Sequence, residues 1–167
     1  MLSDLKRTGV AGAMLAAAVA LPAAGAEPYG YWAVNTAPDG IKLGVIFPEF
    51  SPNDFAGLMF LCTPGTSTVM ISVDSAKPMR KGARASITIT ADAERTVLNG
   101  KAELSEMDDQ TRVIVHSTMS DPVIAALAGA QRISFGVGND MRPLPTKGAR
   151  AAVGDFLAKC GASQSGE

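Results

Sequence analysis

The sequence contains little of the material from which catalytic and metal sites are usually built. Its 167 residues include one histidine, His116, and two cysteines. Aromatic residues make up only 5% of the sequence. A single imidazole excludes zinc sites made from several histidines, and a nucleophile-histidine-acid triad would have to use His116. The G-x-S-x-G, H-E-x-x-H, P-loop and G-x-G-x-x-G patterns of hydrolases, zinc proteases and nucleotide-binding proteins are also missing. We therefore predict a protein that is not an enzyme and that binds no metal or cofactor.

The sequence also lacks an excess of charge of one sign. It carries 15 Lys and Arg against 16 Asp and Glu, a formal net charge of −1 at pH 7. Neutralising a nucleic-acid backbone needs a concentrated excess of cations, so no nucleic-acid partner is expected. No second long apolar run follows the N-terminal region, which predicts a mature chain without a transmembrane segment.

The N-terminus has the pattern of a cleavable signal peptide. Lys6 and Arg7 precede an apolar run over 9–21, and small residues follow up to Ala26. This pattern predicts cleavage between Ala26 and Glu27 and a periplasmic or secreted protein. A retained membrane anchor is the alternative, but the run is shorter than the roughly 20 residues that a spanning helix needs.

The remaining sequence predicts one strand-rich globular domain over 27–160 and a disordered tail over 161–167. Short apolar runs are separated by Gly, Pro, Asn and Asp, which is the pattern of strands joined by turns. Strands are expected over 29–36, 41–47, 58–62, 67–74, 84–91, 96–104, 111–118 and 132–137.

Two helices are expected in the C-terminal third. Asp121 can cap a helix with Pro122 at its first position, which predicts a short helix near 121–129. Apolar residues recur at helical spacing over 146–160 and end at Cys160, which predicts the second helix. Most strands precede the helices and no βαβ repeat is present. The expected fold class is therefore α+β, mainly an antiparallel β-sheet or sandwich with both helices packed on it.

The two cysteines are predicted to form a disulfide. Alternation places Cys62 with Phe60 on the apolar face of a strand, and Cys160 lies on the apolar stripe of the last helix. Export would bring both thiols into an oxidising compartment. The bridge would close a loop of about 100 residues and stabilise the fold by about 4 to 5 kcal/mol in the chain-entropy model. Two buried free thiols and a metal site are the alternatives, although two cysteines without a paired histidine are poor zinc ligands.

A local cluster of cations is the first candidate binding site. Lys77, Arg80, Lys81 and Arg84 lie in a segment that also contains proline and glycine and is predicted to be a hairpin turn. Clustered cations attract an anionic surface such as phospholipid or an outer-envelope polymer. A solvated turn without a partner is the alternative.

Two phenylalanines are the second candidate. Phe50 and Phe55 flank a polar loop segment over 51–54. A ring in a loop either covers the core or stays accessible to a partner, and the sequence is compatible with both.

His116 and the acidic pair Asp108 and Asp109 can each be interpreted as structural residues or as candidates for catalysis or metal binding. His116 lies in the middle of a predicted strand, where it can be a core or edge residue or a general base. Its neighbour Ser117 points to the opposite strand face and cannot be its nucleophile. Asp108 and Asp109 are compatible with a solvated hairpin tip and with an acid/base or calcium site.

The last third of the chain resembles the ending of known secreted proteins. Asp121 and Pro122 open a short helix, a strand follows over 132–137, and the segment over 148–160 ends in Cys160. This arrangement is similar to that of the periplasmic proteins associated with type VI secretion, in which a Cys-tipped terminal helix packs on a sheet. The resemblance implies a disulfide-stapled, non-enzymatic accessory protein of the envelope.

From these observations we expect a non-enzymatic periplasmic or secreted accessory protein that acts through contacts with an unidentified envelope protein. The alternative is a carrier of a small apolar ligand or a lipid, which would need a cavity between helix and sheet. A hydrolase is the third hypothesis, and it would need His116 or the acidic residues to converge in a cleft.

Overall fold

The computed structural model describes residues 29–49, 55, 57–105 and 110–161. The predicted signal peptide, Phe50, the Asp108 and Asp109 pair and residues 162–167 of the predicted tail lie outside the described residues. In chain order the elements are β1 (Tyr31–Ala37), β2 (Gly40–Ile46), β3 (Leu58–Cys62), β4 (Thr68–Asp74), β5 (Arg84–Ala91), β6 (Glu94–Leu104), β7 (Thr111–Thr118), α1 (Pro122–Leu127), β8 (Ile133–Val137), β9 (Asp140–Leu144) and α2 (Ala149–Gly161).

The predicted fold class is confirmed, because an antiparallel sheet forms most of the domain and the two helices lie where they were expected. The predicted bounds of β3, β5 and β7 match, and the other predicted strands differ by one or two residues. The Asp121 carboxylate accepts a hydrogen bond from the Val123 N–H at 3.2 Å, so the predicted cap opens α1. The predicted apolar stripe of α2 is buried at Ala149, Ala152, Val153, Phe156 and Cys160.

The sequence does not predict β9. This strand contains Pro143, and proline inside a run argues against a strand because it cannot donate to a ladder. In the structure β9 is the last strand of the sheet, and its Pro143 lies opposite Ser134 of β8. Proline is tolerated on an edge strand because no further strand needs a hydrogen bond from its missing N–H.

The sheet has the strand order β1-β2-β3-β4-β7-β6-β5-β8-β9, and every pair is antiparallel. The predicted hairpin turn between the strands at 67–74 and 84–91 is therefore wrong, since two strands separate β4 from β5. The connecting segment instead crosses the ends of β7 and β6. The Ser75 N–H donates to the Thr111 carbonyl at 2.8 Å, and the Gly82 N–H donates to the Ala102 carbonyl at 2.7 Å.

The sheet curls so that its first strand reaches the segment that follows its last strand. The Trp32 N–H on β1 donates to the Lys147 carbonyl at 2.9 Å, and the Trp32 indole Nε1 donates to the Pro145 carbonyl at 2.7 Å. Both acceptors lie just after β9. Across the interior, the Phe135 ring of β8 lies against Gly57 before β3, where a Cβ would be 2.7 Å from the ring. Strands at opposite ends of the sheet order therefore share one core.

Helix α2 covers this core from the side of β1 and β2. The ring of Phe156 packs edge-on against the ring of Phe60, with centroids 6.5 Å apart, and both are fully buried. Cys62 and Cys160 form a disulfide with a Cα–Cα distance of 6.0 Å, which confirms the predicted bridge. The bridge ties the end of β3 to the end of α2.

Strands β6 and β7 diverge along their length, and Asp121 lies between them. β6 pairs with β7 only over 101–104, while its first part pairs with β5. The hydroxyls of Thr96 on β6 and Ser117 on β7 each donate to one oxygen of the Asp121 carboxylate, both at 3.0 Å. One carboxylate thus joins two strands and caps α1.

Candidate functional site

The connection from β4 to β5 brings the four predicted cations together at one end of the sheet. Lys77, Arg80 and Lys81 lie in this connection and Arg84 begins β5, and all four are exposed. The segment does not extend freely into solvent. The Met79 N–H donates to the Thr111 hydroxyl at 3.1 Å, so the middle of the connection is attached to β7.

A fifth cation joins this group through the register of the sheet. Lys101 on β6 lies directly opposite Arg84 on β5, and both side chains are exposed. Ile87 and Ile89 of β5 point into the core, so alternation places Arg84 on the outer face. Ala102 is likewise buried, which places Lys101 on the same outer face. We call Lys77, Arg80, Lys81, Arg84 and Lys101 the cationic surface.

Sequence reasoning missed Lys101 because its position depends on a pairing between strands. Lys101 and Arg84 are 17 positions apart in the chain, and only the register between β5 and β6 makes them neighbours. The predicted strand over 96–104 next to the strand over 84–91 is the signal that could have found it. Aligning the two runs as a hairpin would have placed the cations opposite each other.

Within the described parts of the chain, no member of the cationic surface forms an ion pair. Glu103 follows two residues after Lys101, is exposed, and lies opposite Arg112 in the β6–β7 register. The ion pairs of the described residues lie elsewhere and join Lys42 to Asp39, Arg112 to Asp74, Arg142 to Asp140 and Lys159 to Asp155.

Phe55 lies over the outer face of β2 and is partly buried. A Cβ added to Gly44 would come within 2.7 Å of the Phe55 ring, so the ring occupies the space that a side chain at Gly44 would fill. Phe55 therefore covers the sheet backbone at this point.

His116 lies apart from the polar groups that could form a triad with it. The His116 side chain is exposed on the outer face of β7, opposite Met70 of β4. Ser117 has the opposite orientation, and its hydroxyl is bound to Asp121. These three residues do not converge.

Two open clefts lie beside the C-terminal elements. One, of about 410 Å³, is lined by residues that include Asp92, Arg132 and Leu144, and the other, of about 540 Å³, is lined by residues that include Arg150. Thr146 borders both. The Asp92 carboxylate in the first cleft is engaged, since it accepts the N–H groups of residues 131 and 132, each at 2.9 Å.

The described residues contain neither a cluster of His, Cys, Asp or Glu side chains for a metal ion nor a helix that could span a membrane. Over 29–49, 55, 57–105 and 110–161, no three His, Cys, Asp or Glu side chains come together in a way that could hold a metal ion. No helix in those ranges is long and apolar enough to cross a membrane.

Comparisons with known proteins give one distant structural likeness. No protein-family model and no curated protein matches the sequence. Among solved structures, the chain is similar to invasion associated protein B from Bartonella henselae. The match has 14% identity, a TM-score of 0.44, and covers 79% of this chain and 95% of that one. At this level of similarity, nothing about function carries over.

Proposed function

We propose that this protein is an exported, non-enzymatic accessory protein of the bacterial envelope that binds an acidic protein partner through its cationic surface. The observation that carries the proposal is the placement of Arg84 directly opposite Lys101 with no carboxylate paired to either among the described residues. Like charges directly opposite on neighbouring strands destabilise a sheet. Carboxylates of an acidic partner would attract both cations and offset the repulsion between them.

The geometry of the connection favours binding over simple solvation. Its backbone is held at Ser75, Met79 and Gly82 by hydrogen bonds to β7 and β6. A cationic segment that is already ordered loses less conformational entropy on binding than a flexible one. Clustered charge also speeds the encounter with a partner of opposite sign.

The disulfide supports export. Cys62 and Cys160 are joined and buried, and disulfides persist in oxidising compartments such as the periplasm. This agrees with the signal peptide predicted over 1–26, which remains a prediction.

The alternatives have less support. Asp92, Asp74 and Asp121 are engaged in hydrogen bonds that hold the fold, which leaves little for catalysis at these positions. A lipid carrier would need a cavity between helix and sheet, yet Phe156 packs directly on Phe60 there.

Affinity capture with charge-reversed variants tests the proposal. The first variant replaces Lys77, Arg80 and Lys81 by Glu, since these lie outside the strands. The matched control replaces Arg95, Lys147 and Arg150 by Glu, three exposed cations elsewhere, and so changes the net charge equally.

A partner retained by the wild type and the control, but lost from the first variant and released by high salt, supports the proposal. A partner retained by all three proteins overturns it. Binding to vesicles of anionic phospholipid, with no protein captured, also overturns it in favour of a lipid surface.

A further inference from the structure

The outer face of the sheet brings the single histidine of the chain next to a methionine. His116 on β7 and Met70 on β4 are direct partners in the antiparallel register. The backbone bonds from Ser75 to Thr111 and from Met119 to Ser67 fix which pairs of this ladder exchange hydrogen bonds. Hydrogen-bonded and non-hydrogen-bonded pairs alternate along an antiparallel ladder, and counting from these two bonds makes His116 and Met70 a non-hydrogen-bonded pair. In such pairs the Cα atoms lie about 4.5 Å apart and the side chains approach most closely.

A second methionine lies within reach of Met70, on the other side from His116. On β3, Leu61 is opposite Met70, and Met59 lies two residues before Leu61 on the same face. Met59 is thus a diagonal neighbour of Met70, at about 7–8 Å between Cα atoms, a separation that long side chains can bridge. His116 is exposed, whereas Met59 and Met70 are half-buried. Met70 on the middle strand therefore has the exposed imidazole on one side and the second thioether on the other.

The chemistry of these donors selects a soft cation. Both thiols of the described chain are consumed by the disulfide, so the thioethers are the soft sulfur ligands that remain. Thioethers select Cu(I), and imidazole is also a ligand of copper, whereas carboxylates suit Mg²⁺ and Ca²⁺. Asp74 is on the same face, but its carboxylate is already bound to Arg112 at 3.0 Å.

We infer that His116 and Met70, with Met59 as a third ligand, form a binding site for a soft monovalent cation, Cu(I) or its analogue Ag(I). Cu(I) and Ag(I) can be held by two or three ligands. The proposed site therefore does not need the cluster of His, Cys, Asp or Glu side chains that holds zinc. Binding changes no covalent bond and needs no redox step. None of these three ligands belongs to the cationic surface, although Lys101 adjoins the site through its pairing with Ile114, two residues from His116.

Titration with silver nitrate tests this site without redox chemistry. The protein is purified from the periplasm without a histidine tag, so that His116 is the only imidazole and gives a single set of ring signals in an NMR spectrum. We expect one Ag⁺ per chain, with shifts of the His116 ring and of the Met70 and Met59 methyl groups. The second probe is Cu(I), kept reduced by ascorbate, for which the protein competes with a chelator.

Three variants and a control locate the ligands. Loss of an outer-shell partner alone weakens metal sites by about 10–100-fold, so His116→Ala and Met70→Leu are each expected to weaken binding at least about tenfold. Met59→Leu should weaken binding less, because Met59 is the diagonal ligand. Met141→Leu is the control, since Met141 is 40% exposed on β9, away from the site.

The outcomes separate clearly. Leucine conserves the volume of methionine, and His116 is exposed, so all variants should fold and keep the disulfide, which circular dichroism and intact mass verify. Unchanged Ag⁺ affinity in the folded His116→Ala, Met70→Leu double variant overturns the inference. Equal weakening by Met141→Leu, or the absence of binding to the wild type, also overturns it.

Discussion

The hydroxyl of Thr96 on β6 donates a hydrogen bond to the carboxylate of Asp121, which also caps α1. The second oxygen of Asp121 accepts the hydroxyl of Ser117 on β7. The carboxylate therefore holds together two strands that diverge and a helix that begins between them.

Replacing Asp121 by Ala should destabilise the fold by about 2–4 kcal/mol, because it removes a helix cap and leaves two partly buried hydroxyls without their charged acceptor. Chemical denaturation followed by circular dichroism measures the change. Asp155→Ala is the control, since it removes only an exposed ion pair with Lys159 and should cost less than about 0.5 kcal/mol. Equal effects of the two substitutions would contradict the role of Asp121.

Replacing glycine by alanine should change the stability of the fold in opposite directions at two positions. At Gly100, where β6 meets β7, a Cβ would overlap the Ile114 carbonyl oxygen and a Val115 methyl, so Gly100→Ala should destabilise by about 1–3 kcal/mol. At Gly154, in the middle of α2, a Cβ meets no atom within 4 Å beyond its chain neighbours and the backbone of its own helix, so Gly154→Ala should stabilise by about 0.5–1 kcal/mol. Thermal unfolding of both variants gives the signs, and a stable Gly100→Ala protein would show that β6 can shift away from β7.

Removing the disulfide should cost about 4–5 kcal/mol, since Cys62 and Cys160 are separated by 98 positions and the bridge restricts the unfolded chain strongly. The Cys62→Ala, Cys160→Ala double variant is compared with the wild type by denaturation, each with and without reductant. Reduction should lower the midpoint of the wild type only. Equal midpoints for the oxidised wild type and the double variant would show that the bridge contributes nothing to stability.

Lys101→Glu should stabilise the protein and weaken the binding of its partner. The new carboxylate would lie opposite Arg84 and replace repulsion by attraction, a gain of about 0.2–1 kcal/mol. The control Lys159→Glu breaks the pair with Asp155 and should destabilise by about 0.2–0.5 kcal/mol. Unfolding and partner capture are measured on the same samples. A Lys101→Glu protein that is less stable than the wild type would remove the argument from repulsion.

Local patterns were sufficient to predict the elements whose signals are local. The strands over 58–62, 84–91 and 111–118 are short runs rich in apolar and β-branched residues, and their bounds match the structure. The helix capped by Asp121 and the buried stripe ending in Cys160 follow equally from nearby residues. The disulfide was predicted because both cysteines lie on apolar faces.

Features that depend on pairing between distant segments could not be predicted in this way. The β4–β5 hairpin was wrong because β4 pairs with β7 instead, a choice that no turn residue reveals. Lys101 and Met70 were missed for the same reason. The roles proposed for them depend on cross-strand neighbours, Arg84 and His116, that only the register supplies.

The closure of the sheet through Trp32 also bears on when this protein can fold. The indole of Trp32 in the first strand binds the Pro145 carbonyl, 113 positions later. The first strand therefore cannot complete its contacts until almost the whole chain has been synthesised. Folds dominated by such distant contacts form slowly. A chain that must wait for its own C-terminus stays unfolded for longer, which would suit the export proposed for this protein if it crosses the membrane unfolded.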